Sequence, residues 1–426
     1  MSKTPSFSRR SFLRRAALLA AAPAIVPASA RLAQAAPAPS ERITMAAIGI
    51  GGRGTYDLRW FHRNPDVEFV AVCDVRRDRR EAAKALVDEQ NGNSDCAAYR
   101  DLREMLERDD IDAVLIATSD RWHSLASIMA MRAGKDVYSE KPLGMNIGET
   151  MVLAETAKET GRVFQVGTQR RSEANFVYIV ELARKGYLGQ LHTLTAHIVH
   201  GFAPHRWLPA QPEPPKEELD WDLFLGPVPW HPYNRDYVDH RHAHADFWAG
   251  GLHEWGAHTF DLCQFANDTA LTGPTRFVFP GNETSEGLLV EYPSGVNLTM
   301  TAGGFPGTCG VRFEGDEGTA MCADGNVPEV SPVSLLGERE ALLGSYVEHT
   351  GRSLDHVRDF LDCVKSRRDP VASAEIARRA HDICHVGAIC MALKRDVVWD
   401  PETSSFPGDD EANGMRTRAN RAPYVF

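Results

Sequence analysis

The sequence predicts an α/β domain built on a parallel sheet, followed by an α+β domain built on a largely antiparallel sheet with one covered face. Three observations lead there: apolar runs alternate with helical patterns in the first third of the chain, the pattern changes to period-two alternation from about Gly189, and the first apolar run ends in a glycine-rich turn. A chain of 426 residues is too long for one ordinary core, and a prior of ~150 residues per domain gives two domains with appendages.

In chain order, Ile43 to Ile50 is an apolar run ending in glycines and followed by a helical stretch to about Asn64. Val67 to Cys73 ends in Asp74 and precedes a charged helix from Arg77 to Glu89; Ala113 to Ala117 ends at Thr118-Ser119-Asp120; Val137 to Ser139 leads into Glu140-Lys141-Pro142. Strands alternating with helices in this way make a parallel sheet covered on both faces. Later, Leu194, Ala196 and Ile198 alternate with Thr193, Thr195 and His197, as do Leu288, Val290 and Tyr292, then Val296, Leu298 and Met300. Between these strands runs a Pro/Trp/His-rich segment, Pro204 to Trp248, too irregular for one element and too long for an ordinary connection. Two helices close the second domain, one capped by Ser353 with Leu354, Val357, Leu361 and Val364 on one face, the other spanning Ile376 to Leu393. The expected boundaries are 1–40 for a signal and linker, 41–165 and 166–395 for the two domains, and 396–426 for a tail to which no regular structure is assigned.

Residues Ser8 to Arg15, SRRSFLRR, place paired arginines before an alanine-rich apolar run, and small-x-small sites follow at Ala28-Ser29-Ala30 and Ala33-Gln34-Ala35. That pattern resembles a twin-arginine export signal, with an apolar stretch shorter than the ~20 residues of a membrane helix. An exported protein without stable membrane insertion after cleavage is the expectation. The eight cysteines are scattered from Cys73 to Cys390 without C-x-x-C pairs, and most are read as buried thiols. A net charge of -11 argues against a nucleic-acid or anionic-membrane partner.

Gly49-Ile50-Gly51-Gly52-Arg53-Gly54 fits G-x-G-x-x-G where a strand gives way to a helix, and Asp74 stands 20 residues beyond Gly54 at the end of the next strand. The glycines let a diphosphate approach a helix N-terminus, and a carboxylate at that spacing hydrogen-bonds the adenosine ribose, so the first domain reads as a Rossmann domain holding a dinucleotide. Asp74 favours NAD by repelling a 2′-phosphate, while Arg76 and Arg77 leave NADP open or simply begin a solvated helix.

With that fingerprint, TSDRWH (containing Thr118 and His123), SEKPLG, VGTQRR and GGLHEWGAHTFDL occurring in order, the chain from residue 42 to about 395 resembles the Gfo/Idh/MocA family of glucose-fructose oxidoreductase and inositol dehydrogenase. The resemblance implies an open, mainly antiparallel C-terminal sheet whose face meets the nicotinamide, a sugar or cyclitol substrate, and a homo-oligomer. It adds Thr118, His123, Glu140 and Lys141 to the fingerprint as cofactor contacts, and implies that Lys141 hydrogen-bonds the reacting oxygen while His258 is the acid/base. The family's usual aspartate is Glu254 here. Read physically, Glu254, His258 and Asp261 are spaced i, i+4 and i+7 and share one helix face among aromatic neighbours. Lys141, His258 and Glu254 are therefore the candidate catalytic groups, with Asp261 either a participant or an orienting group. Gln169, Arg170, His253 and Asp261 are candidate substrate contacts.

Ten of the sixteen histidines lie between His192 and His258, without partners at familiar zinc spacings, and no metal is expected. Trp207, Trp221, Trp230 and Trp248 are expected to stack on a sugar or to plug the loop onto the core, with Trp207 and Trp248 the candidate substrate contacts. Together these features predict an exported enzyme with a tightly held cofactor that moves hydride to or from a sugar, glycoside or cyclitol hydroxyl carbon. A glycosidase working by transient oxidation and elimination, and a silent sugar-binding protein, are the alternatives.

Overall fold

The computed structural model describes residues 41–426, so the export signal expected over residues 1–40 lies outside the described residues. Six parallel strands, β1 (Ile43–Ile48), β2 (Val67–Cys73), β3 (Ala97–Tyr99), β4 (Ala113–Ile116), β5 (Asp136–Ser139) and β6 (Phe164–Val166), form a sheet in the order β3-β2-β1-β4-β5-β6. Helices α1 (Gly52–His62), α2 (Arg77–Asn91), α3 (Leu102–Leu106), α4 (Asp120–Arg132) and α5 (Ile147–Thr160) supply the crossovers. Strand order reverses between β1 and β4, which opens a crevice at their carboxyl ends, the place where such sheets bind ligands.

The chain then passes through α6 (Ala174–Arg184) into a second sheet of β7 (Leu191–His197), β8 (Arg276–Val278), β9 (Leu289–Glu291), β10 (Asn297–Thr301), β11 (Val311–Gly315), β12 (Thr319–Cys322), β13 (Glu329–Ser331) and β14 (Val397–Val398). Its order is β13-β12-β11-β7-β10-β9-β8-β14, antiparallel except where β7 and β10 run parallel. Between β7 and β8 come α7 (Trp221–Leu225), α8 (Arg235–Asp239) and α9 (Gly251–Ala266), and after β13 come α10 (Arg339–Thr350), α11 (His356–Ser366), α12 (Ala374–Leu393) and α13 (Asp410–Gly414). Alternate residues Leu194, Ala196, Leu298, Met300, Val311 and Phe313 turn to one face and are buried beneath α6, α9, α10 and α12.

Two late helices return to the first sheet. Val357, Phe360 and Leu361 of α11 close the core formed by Met45, Ala47, Phe61 and Phe69, and the start of α12 (Ala374, Ala377) enters the core on the opposite face with Ile48 and Ile116. Helix α11 is capped by Asp355, which accepts from the Arg358 N–H at 2.9 Å, rather than by Ser353, whose hydroxyl accepts from the Asp355 N–H. The segment after Asp400 also differs from expectation: it carries α13 and buries Phe406 and Tyr424, because its aromatic residues find apolar partners that its Pro/Asn/Arg-rich composition conceals. All eight cysteines are free and buried.

The segment from Pro204 to Trp248 is a strap with a small core of its own, made by Leu219, Trp221, Leu225, Val228, Tyr237 and Phe247. It is tied to the Rossmann domain by backbone hydrogen bonds from the Arg77 N–H to Glu218 O (3.0 Å) and from the Asp220 N–H to Val75 O (3.2 Å). The Trp122 indole reaches Leu223 O at 2.9 Å, and the Arg121 guanidinium donates to the carbonyls of Phe224 and Leu225.

Candidate active site

At the crevice, Gly49 has φ +79°, and a Cβ there would stand 2.5 Å from the backbone of Thr118; a Cβ on Gly54 would stand 2.4 Å from Gly49 O. Nothing lies within 4 Å of a Cβ on Gly52, so the turn packs tightly on its inner side and stays open at the start of α1. Asp74 is buried beside this turn, its carboxylate accepting from the N–H groups of Ile50 and Arg76 at 2.9 Å each. Burial pushes its pKa up against those two donors. Gly49, Gly51, Gly52, Arg53, Asp74 and Thr118 line one open cleft of about 160 Å³, together with Leu223 and Phe224 of the strap. A turn that excludes side chains, open N–H groups and a carboxylate at the end of β2 fit the dinucleotide that the fingerprint implies.

Arg53 leaves the turn to bind Asp57 and the carboxylate of Glu140, and the Gln169 amide donates to the same Glu140 oxygen at 2.8 Å. Glu140 and Gln169 are thus buried and bound to each other; Gln169 orients Glu140. The next peptide, Lys141–Pro142, is cis. His123, expected at the cofactor, sits instead beneath this loop: its Nδ1 lies 2.7 Å from Pro142 O, while Ser124 donates to Leu143 O. The Leu143 N–H donates to His381 at 2.9 Å. His253, expected at the substrate, faces His385 at 2.8 Å, and burial, aided by His381, drops its pKa to about 3.

The Lys141 ammonium donates to Glu254 twice, to the backbone carbonyl and to Oε1, both at 2.9 Å, and Trp248 donates its indole N–H to Oε2 at 3.2 Å. Burial alone would raise Glu254, but the Lys141 charge and these hydrogen bonds hold it below the ordinary carboxylate range. One turn along α9, the His258 Nε2 lies 2.9 Å from Nη1 of Arg170, whose opposite edge is gripped by Asp324 at 2.9 and 2.6 Å. A guanidinium has no acceptor, so Nε2 carries the lone pair and Nδ1 the proton. Burial depresses the His258 pKa well below its usual value, and the charges of Arg170, Lys141 and Arg53 depress it further.

Asp261 is not in this group. It is bound by the Nε–H of buried Arg171 at 2.7 and 2.8 Å, a pair with 2% exposure on each side chain, because the helix face that turns His258 toward Arg170 turns Asp261 toward Arg171, whose guanidinium lies over Phe265. Trp207 is also elsewhere: it is 65% exposed, with its ring 6.0 Å from that of Trp230, while Trp221 is the plug of the strap. His240 and His244 both bind Asp236, and among the described residues no group of three or more His, Cys, Asp or Glu side chains is placed to hold a metal ion. Sequence reasoning missed Asp324, which lies in the turn after β12 with no motif around it, and Arg121, which stands unremarked inside TSDRWH.

Residues 43–168 match the model of an oxidoreductase family with an NAD-binding Rossmann fold, and residues 179–287 and 342–426 match that family's C-terminal alpha/beta domain. A glycosyl hydrolase family 109 protein of Saccharopolyspora erythraea is 31% identical over 210 residues, 45% of this chain and 45% of its own. The myo-inositol 2-dehydrogenase of Thermotoga maritima is 32% identical over 151 residues, 35% of this chain and 43% of its own. Each match therefore spans less than half of the relative's length. The WlbA dehydrogenase of Bordetella pertussis, solved with NADH and UDP-GlcNAcA, shares the fold at TM-score 0.59 and 16% identity over 85% of this chain and 99% of that one.

Proposed function

This chain belongs to the Gfo/Idh/MocA oxidoreductase family, and from that premise we propose that it moves hydride between NAD and a hydroxyl-bearing carbon of a sugar, glycoside or cyclitol. The observation that carries this reading is geometric: His258 Nε2 meets Nη1 of Arg170 at 2.9 Å, one helical turn from Glu254, which the Lys141 ammonium of the E-K-P loop holds at 2.9 Å.

The nicotinamide, when bound, supplies the two-electron acceptor or donor. The protein does the rest. Gly49 to Gly54 would cradle the diphosphate of the dinucleotide, and Asp74 would accept from its ribose. Lys141 has three N–H donors, two of them spent on Glu254, and the third is left for the reacting oxygen. A substrate hydroxyl entering between Arg170 and His258 accepts from Nη1 and donates its proton to Nε2; the carbon loses hydride and becomes a ketone as that proton passes to the imidazole. Asp324 keeps Arg170 in place through the exchange.

The glycosyl hydrolase relatives favour a second reading, in which transient oxidation permits elimination of a neighbouring group and the hydride then returns. Incubating the purified protein with glycosides and their keto counterparts separates the two. Net ketone formation supports the dehydrogenase and aglycone release the glycosidase, whereas neither product leaves a silent sugar-binding protein and overturns both.

The signal pattern in residues 1–40 supports export of the folded protein with its cofactor already loaded, recycled without leaving the cleft. Fractionation of cells making the full chain tests this: loaded protein outside the inner membrane is expected, and a cytoplasmic location contradicts it. Assembly into a homo-oligomer completes the proposal; a monomer by light scattering would remove that part alone.

A further inference from the structure

The dinucleotide cleft is lined by six arginines, Arg53, Arg76, Arg79, Arg100, Arg121 and Arg241, yet most of them are committed. Arg53 binds Asp57 and Glu140, Arg76 binds Asp78 at 2.6 Å, Arg100 faces Asp220 at 3.4 Å, and Arg121 is spent on Ser119 and strap carbonyls. Arg77, a candidate from the sequence for a 2′-phosphate, is likewise taken by Glu81 and Glu218. Among the described residues, Arg79 and Arg241 form neither an ion pair nor a side-chain hydrogen bond, and Nε of Arg241 is a buried donor without a partner.

Their positions are informative. A guanidinium nitrogen of Arg79 stands 3.1 Å from the place a Cβ on Gly51 would take, so it lies over the phosphate-binding turn. Arg241 comes from the strap, and its charge is felt at Arg79. Asp74 also acts on Arg79 but forms no ion pair with it; its carboxylate accepts from the N–H groups of Ile50 and Arg76 and keeps acceptor capacity for the ribose. Two partly desolvated cations carried toward each other by different segments repel, and a buried donor left unsatisfied is costly; an anion between them relieves both.

We propose that Arg79 and Arg241 form a phosphate clasp, one jaw on α2 and the other on the strap, that closes on a phosphate of the bound dinucleotide. This rests on the reading of the cleft as a dinucleotide site. The phosphate is either part of the diphosphate shared by NAD and NADP or the 2′-phosphate of NADP, and a guanidinium pair suits both by its bidentate geometry. Closing the clasp would pin the strap over the cofactor and slow its escape.

Calorimetric titration of the cofactor-stripped full chain with NAD, NADP and adenosine tests the clasp in the wild type, Arg79→Gln, Arg241→Gln and Arg241→Lys. Each Gln variant is expected to weaken dinucleotide binding roughly ten- to a hundredfold, with adenosine unaffected and Lys partly restoring it. Equal weakening of NAD and NADP assigns the diphosphate; weakening of NADP alone assigns the 2′-phosphate. Unchanged affinity in both Gln variants, with melting temperatures like the wild type's, overturns the clasp while leaving the cleft intact. A wild type that binds adenosine and neither dinucleotide overturns the reading of the cleft itself.

Discussion

A buried histidine set among Arg170, Lys141 and Arg53 stays neutral because each of those charges, like burial itself, disfavours a further proton. A general base needs its lone pair, so the acid limb of the kcat/KM profile is expected below the usual histidine value of about 6.5, since lowering the pH protonates His258 only past its depressed pKa. A limb centred at or above 6.5 would show that another group, or a solvated imidazole, controls the reaction. At the turn, Gly49→Ala must force a left-handed backbone on alanine and drive its Cβ into Thr118. We expect it to cost about 1–3 kcal/mol in thermal unfolding and to abolish NAD titration; a variant that binds NAD normally refutes the tight inner packing of the turn. The tight turn at Gly49 with Asp74 beside it was legible in the sequence, and Lys141 and His258 stood out as candidates, because each sits in a local motif. Arg241 and Asp324 were not, since Arg241 hides in a histidine-rich stretch and Asp324 matters only through a pairing 154 residues distant.

Helix α9 has two jobs on adjacent turns, presenting Glu254 and His258 to the site and locking Asp261 to Arg171 in the interior. The periodicity of the sequence places all three on one face, but the stripe cannot tell which member meets Arg170 or Lys141 and which meets Arg171. Asp261→Asn should therefore destabilise the fold by about 3–5 kcal/mol in denaturant melts, leaving a buried guanidinium uncompensated. A normal melt with a raised KM would return Asp261 to the substrate. The strap was legible only as an irregular, functional-looking segment, because its short helices are held by the aromatic core around Trp221 rather than by their own periodicity. Trp221→Ala should loosen that core by roughly 3–5 kcal/mol locally and speed cofactor release in stopped-flow chases, with the cores of the two sheets unchanged. Identical release rates would mean that the strap roofs the cleft without retaining its contents.

Across the whole molecule, the two sheets were legible from their periods of alternation, and the crevice between β1 and β4 follows from the strand order. What composition could not convey is how often the chain returns: α11 and the start of α12 complete the cores of the first sheet, and Tyr424 packs against Trp122 and hydrogen-bonds Asp222 of the strap at 2.6 Å. Such returns depend on apolar faces meeting at long range, and nothing local in the sequence marks them. The long-range packing places Lys141 of the first domain against Glu254 of the second, so these two candidate groups meet only when both are assembled. The most direct test is a single turnover: NAD-loaded protein mixed with a glycoside it converts, following the absorbance of reduced nicotinamide in the wild type, Lys141→Met and His258→Ala. The wild type should form reduced cofactor, and each variant should do so between about a hundred and ten thousand times more slowly at undiminished NAD affinity. Reduced cofactor appearing at the wild-type rate in both variants would contradict the assignment of the reacting oxygen to Lys141 and of its proton to His258.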